Sequence, residues 1–160
     1  VFIFSLVISA FTVGIGFLFH EIMHKYIAQK YGLRAEFHAF YGMLFLALIF
    51  SLFGFIIAAP GAVFISGRIT RERNGKISLA GPLTNIALAM VFLLLLFFVS
   101  NNLLGMIAFY GLSINSLLAL FNLLPFMPFD GSKIFAWSKA AYFAALILAL
   151  SLFMVRYIIV

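Results

Sequence analysis

The sequence predicts an all-α polytopic membrane protein, with about four transmembrane helices plus a re-entrant or fifth hydrophobic segment and a small cytoplasmic-side β-hairpin or sheet. Three observations predict it. Of 160 residues, 66% are hydrophobic and 9% charged, and the mean hydropathy is +1.25; ordinary soluble domains carry about 25% charged residues. A chain of this length has too much surface to hide that apolar excess from water, so the excess faces lipid. A cytosolic enzyme, a nucleic-acid-binding module and a disordered tail are thereby excluded. The second observation is that the apolar residues fall in runs long enough to cross a bilayer. The third is the charge pattern: ten Lys and Arg stand against four acids, and all the basic residues but Arg156 fall in or beside segments assignable to one face, as in cytoplasmic loops.

The elements follow in order. The first run, Val1–Phe19, holds no charge and continues through His20–Tyr31 to Gly32, a helix C-cap. A helix over residues 1–31 would be about 46 Å long, enough to cross the bilayer and emerge. It lacks a small-residue cleavage site, so it reads as a spanning helix and not as a signal peptide; the chain begins at Val1 rather than Met, and a further helix before it is allowed for. Arg34–Tyr41 alternates as a strand would, with Arg34, Glu36 and His38 on one face. Met43–Ser66 is long enough to span, yet Gly54 and Pro60-Gly61 interrupt it. Basic residues flank it on both sides, which favours a re-entrant segment over a fifth crossing. Ile69–Leu79 flanks Asn74-Gly75, a favoured two-residue hairpin turn, and so predicts a β-hairpin. Leu83–Val99 and Leu103–Leu120, joined by Ser100-Asn101-Asn102, predict an antiparallel helical hairpin, and Ala140–Val160 a last helix. Trp137 fits an interfacial anchor, and Arg156 snorkels towards the opposite surface. With no repeat or linker, residues 1–160 read as a single domain.

The few polar residues carry the chemistry. There is no cysteine, which excludes disulfides, thiolate metal sites and cysteine nucleophiles. His20-Glu21-Ile22-Met23-His24 has the form H-E-x-x-H. On a helix, positions i and i+4 share one face, so both imidazoles reach one Zn²⁺, with Glu21 beside them to take a proton from an attacking water. If the lipid boundary lies near Lys25–Lys30, His20 is about 8–15 Å inside it, a depth at which ionisable groups are costly and functional. A catalytic zinc site usually takes three protein ligands. The remaining donors are His38, Glu36, Glu72 and Asp130. His38 reads as an interfacial side chain on a strand, and Glu36 and Glu72 sit among basic residues as solvated charges. Asp130 follows Pro125 and Pro128, which forbid regular helix and bend the chain near the same face as the histidines. It either completes the metal site or begins the final loop paired with Lys133.

His20-Glu-Ile-Met-His24 together with Asn122-Leu-Leu-Pro-Phe-Met-Pro-Phe-Asp130-Gly131 resembles the site-2 proteases, a family of intramembrane zinc metalloproteases, and looks closest to its short archaeal members. Ala80-Gly81-Pro82-Leu83-Thr84-Asn85 is similar to a third segment of that family, so the resemblance covers residues 14–137. Phe129 stands where the family usually has Leu, and no PDZ or CBS regulatory domain is expected. The resemblance implies His20, His24 and Asp130 as ligands of one catalytic Zn²⁺, Glu21 as general base, and Asn122, with Asn85 a weaker candidate, as the group that holds substrate or oxyanion. The left-open alternative for Asn122 is a hydrogen bond that glues membrane helices.

The expected activity is thus hydrolysis of peptide bonds within or near transmembrane segments of membrane-protein substrates, in the cytoplasmic membrane with the active site near the cytoplasmic side. A substrate helix must unwind before attack, and an exposed edge of the Ile69–Leu79 hairpin or of the Arg34–Tyr41 strand would receive it. Two other classes compete. A metal-ion transporter or channel could use the His/Asp cluster as an ion site, but it has no need of Glu21. A catalytically silent relative is disfavoured because no expected catalytic group is missing.

Overall fold

The computed structural model of the chain describes residue 8 and residues 10–52, 61–99 and 103–159. A π-helical turn, Ala10–Gly14, leads into α1, Ile15–Lys30. The start of the predicted first helix, residues 1–7, lies outside the described residues. Its end is as expected. Gly32 has φ +73°, and Leu33 N donates to Ala28 O while Gly32 N donates to Gln29 O, the paired bonds by which a positive-φ glycine closes a helix.

Strand β1, Arg34–Ala39, is followed by helix α2, Tyr41–Leu52, and strand β2, Gly61–Ser66. The apolar stretch 43–66 is therefore not a single crossing. Its first part is helical over Tyr41–Leu52. Its last part is a strand rich in β-branched and aromatic residues, Ala62-Val63-Phe64-Ile65. β2 pairs antiparallel with β1, and Ala39 faces Gly61 across the ladder. The chain leaves the sheet and returns to it at the same place. Gly54 and Pro60 lie in residues 53–60, outside the described residues.

The predicted hairpin over Ile69–Leu79 is not formed. These residues open helix α3, Arg71–Leu96, which extends the expected run at Leu83–Val99 back by twelve positions (83 minus 71). Thr70 caps it, its side chain accepting from Arg73 N at 3.2 Å, and Glu72 pairs with Lys76 one turn on, both helix-forming signals that outweigh the Asn-Gly dipeptide. Gly75 is needed for packing and not for a turn: a Cβ there would lie 2.4 Å from the Trp137 Cβ. Trp137 is thus seated against α3 as well as near Lys76, whose Nζ is 5.9 Å from its ring. Pro82 is accommodated inside α3, fully buried.

Helix α4, Leu103–Asn122, and helix α6, Lys139–Ile159, lie close to their expected positions. Between them the Asp130 segment forms a short helix, α5, Asp130–Trp137, where sequence reading had a loop. Among the described residues three helices, α3, α4 and α6, are long and apolar enough to cross a membrane. They pack with α5 around Ile86, Ala89, Leu112, Ala119, Leu123, Ile134, Tyr142, Ala145, Ala149 and Leu152. Four of these ten are alanines, which let helix backbones approach where no hydrophobic effect drives them together. Many other bulky apolar residues point outwards: Phe97, Phe98, Val91, Leu94 and Ile158 are all more than half exposed, a surface suited to lipid and not to water.

Close approach makes a prediction. A Cβ on Gly111 of α4 would sit 2.5 Å from the Phe92 ring of α3, so Gly111→Val should destabilise the helix pair by about 1–3 kcal/mol, read as a lowered midpoint of unfolding in detergent.

Candidate metal centre

His20 and His24 lie one turn apart on α1, both turned inwards and buried, while Glu21 faces a cavity of about 430 Å³ between α1, β2, α3, α4 and α5. Asp130 comes from the first turn of α5, where helix N-terminal N–H groups favour an anion. Gly131 brings it there: a Cβ on that residue would be 2.2 Å from Leu123 O, so only glycine lets α5 begin against the end of α4.

The three side chains converge. His20 Nε2 is 3.0 Å from His24 Nε2, and Asp130 Oδ2 is 3.3 Å from the first and 3.0 Å from the second. The other imidazole nitrogens are committed. His24 Nδ1 is 2.8 Å from Ile77 O, a carbonyl that can only accept, and His20 Nδ1 is 2.6 Å from Asn85 Oδ1. Both Nδ1 atoms therefore carry the proton in the neutral rings, and both Nε2 atoms present lone pairs. Two imidazole lone pairs and a carboxylate oxygen thus face one another in a buried space, which calls for a cation among them. Ligand atoms each about 2.0–2.1 Å from one tetrahedral zinc would lie roughly 3.3 Å apart, close to the spacing observed. The neighbouring backbone leaves the necessary room: a Cβ on Gly81 of α3 would lie 2.5 Å from both Nε2 atoms. His20, His24 and Asp130 could hold one metal ion.

The second Asp130 oxygen, Oδ1, is 3.6 Å from Lys133 Nζ, so one carboxylate oxygen faces the histidines and the other faces the lysine.

Glu21 is half-buried at the cavity wall, and its Oε2 accepts from Val63 N of β2 at 3.1 Å. Asn122 also lines the cavity, from the last turn of α4, with Nδ2 donating to Leu118 O at 3.0 Å. Asn85 is placed differently. It is fully buried behind His20, away from the cavity lining, with its amide bonded to His20, Gly16 O and Asn115 Oδ1. His38 is exposed on the sheet beside Glu36 and the Phe64 ring and does not line the cavity. Glu36 and Glu72 are exposed, as expected of solvated charges. Sequence reading missed Asn115, whose only signal was an amide inside an apolar run, and the backbone groups of Val63 and Ile77, which carry no signal at all.

The chain is 52% identical over 135 residues, 82% of its own length, to a Methanocaldococcus jannaschii protein provisionally named a zinc metalloprotease, of which it covers 71%. It is 31% identical over 116 residues, 72% of its length, to a second protein of that organism, named a zinc metalloprotease, of which it covers 29%. It thus spans under a third of the second relative. No family model matches the chain, and no solved structure matches it.

The Gly81 contact makes the centre testable. Gly81→Ala should leave the helices folded by circular dichroism yet cut zinc content from about one ion per chain to under a tenth, because the new methyl displaces both imidazoles from the position a ligand needs, about 2.0–2.1 Å from the ion; atomic emission on dialysed protein checks this.

Proposed function

Because this chain belongs to the zinc metalloprotease family of its two archaeal relatives, we propose that it is an intramembrane zinc endopeptidase of the site-2 protease type, cleaving membrane-protein substrates within or near their transmembrane segments. The observation that carries the reading is the meeting of three lone pairs from His20, His24 and Asp130 beside the Glu21 carboxylate, in a cavity among helices with lipid-facing surfaces. These three residues would hold the zinc. When bound, the ion would bring the pKa of a water towards 7 and polarise the scissile carbonyl.

The chain's own groups divide the remaining work. Glu21 accepts the proton of the attacking water and returns it to the leaving amine. Its Oε2 is held by Val63 N, which leaves Oε1 for the proton. Asn122 keeps one amide hydrogen beyond its bond to Leu118 O, and donates it to the oxyanion that forms at the carbonyl.

A helical substrate hides its carbonyls in its own hydrogen bonds and must be drawn out before attack. The edge that receives it belongs to β2. Val63 N turns to Glu21 and not to β1, so by the alternation of an antiparallel ladder the peptide groups of Gly61, Val63 and Ile65 face outwards. All three residues line the cavity. An extended substrate laid along this edge would pair with it and pass the Glu21 carboxylate. Basic residues gather at the end of α1 (Lys25, Lys30) and the start of α3 (Arg71, Arg73, Lys76), with Arg34 and Lys133 beside them, a pattern that supports a site mouth on the cytoplasmic side of the cytoplasmic membrane.

Glu21→Gln separates chemistry from metal binding. Zinc content should stay at about one ion per chain while cleavage of a model membrane substrate falls about 10²–10⁴-fold; unchanged cleavage, or zinc flux through reconstituted vesicles, would contradict a protease. Asn122→Ala should lower kcat by about 10²-fold with KM little changed, as expected of a contact made in the transition state.

A further inference from the structure

We propose that Asn85 and Asn115 are positioning residues that, through a relay of side-chain amides across three helices, fix His20 with its proton on Nδ1 and its Nε2 lone pair at the metal position. The inference rests on the zinc-protease reading and assigns these residues a role apart from substrate. Each amide orientation is set by a backbone carbonyl, which can only accept. Asn115 Nδ2 donates to Gly111 O at 2.9 Å within α4, so its Oδ1 turns to Asn85. Asn85 Nδ2 donates to Gly16 O of α1 at 3.1 Å and to that Asn115 Oδ1 at 3.1 Å. Its own Oδ1 is thereby left for His20 Nδ1, at 2.6 Å. A rotated Asn85 would set oxygen against oxygen twice and offer His20 a donor. The ring would then carry its proton on Nε2, facing Asp130 and His24, and the metal would lose a ligand.

The packing is built for this chain of contacts. Asn85 and Asn115 are both fully buried. Gly16, one helical turn before His20, lets its own carbonyl reach Asn85, for a Cβ there would lie 2.4 Å from Asn115 Oδ1. The amides of both residues are satisfied without reaching the cavity, so neither is free to hold substrate. Burying two amides in an apolar helix bundle is costly unless each is paired, and here the pairing ends on an imidazole of the centre. His24 needs no such relay, because Ile77 O serves it directly.

The test measures zinc affinity by chelator competition on the full chain in detergent, apart from proteolysis. Asn85→Leu should weaken zinc binding about 10–100-fold, the usual effect of losing a partner behind a ligand histidine. Asn115→Ala, the smaller disturbance, should weaken it several-fold by itself and add nothing in the Asn85→Leu background, since it acts only through Asn85. Ser116→Ala, a buried change whose hydroxyl bonds only to its own helix, should leave affinity unaltered. A purely structural role would lower the unfolding midpoint of the zinc-free protein while sparing affinity. Wild-type affinity in Asn85→Leu, or an undiminished Asn115→Ala effect in the double variant, would overturn the relay. If Asn85→Leu does not fold, wild-type affinity in Asn115→Ala overturns it alone. Absence of zinc binding by the wild-type chain would instead overturn the protease reading.

Discussion

The structure depends on one electrostatic constraint: two imidazole lone pairs and a carboxylate oxygen brought within 3.0–3.3 Å of each other in a buried space. Without a cation these groups repel, and in an apolar bundle there is little water to separate them. The surrounding chain accepts that repulsion and reinforces it. Ile77 O and Asn85 Oδ1 hold both Nδ1 protons on the far sides of the rings, Gly131 lets α5 start against α4, and Gly81 withholds the methyl group that would fill the space. Each device would be a defect in a chain that bound no metal.

The membrane imposes the second condition. With lipid on the outside, helices gain nothing by hiding leucines from each other, so cohesion comes from close backbone approach and paired polar groups. The buried core accordingly includes four alanines among its ten residues, while many large apolar side chains face out. Glycines at 75, 111 and 131 each admit a neighbour that a side chain would exclude. The same close packing brings donors from α1 and α5 to one point against α3, so the scaffold that holds the bundle together also assembles the site.

How much of this was legible in the sequence depended on the range of the signal. His20, Glu21 and His24 are fixed by helical spacing alone, and Gly32 by helix-end chemistry, so both were readable locally. Asp130 was readable because two prolines and a glycine mark its segment, although the short helix it begins was not. The Asn74-Gly75 dipeptide misled: its glycine answers to Trp137, sixty-two positions away (137 minus 75), and a turn preference yields to a capped helix start at Thr70. β2 was hidden because a strand and a helix segment of continuous apolar residues look alike until pairing partners are known. Asn85 was noticed for its motif and not for its partners, and Asn115 not at all, since hydrogen bonds that run across three helices leave no pattern along any one of them.

X-ray absorption at the zinc edge of the purified protein reads whether one zinc ion sits between these three side chains. The expected sphere has two imidazole nitrogens with oxygen completing it, all at about 2.0–2.1 Å, and no sulfur. A spectrum with fewer than two imidazoles, or zinc that remains bound with the same spectrum after His24→Ala and Asp130→Ala together, would contradict it.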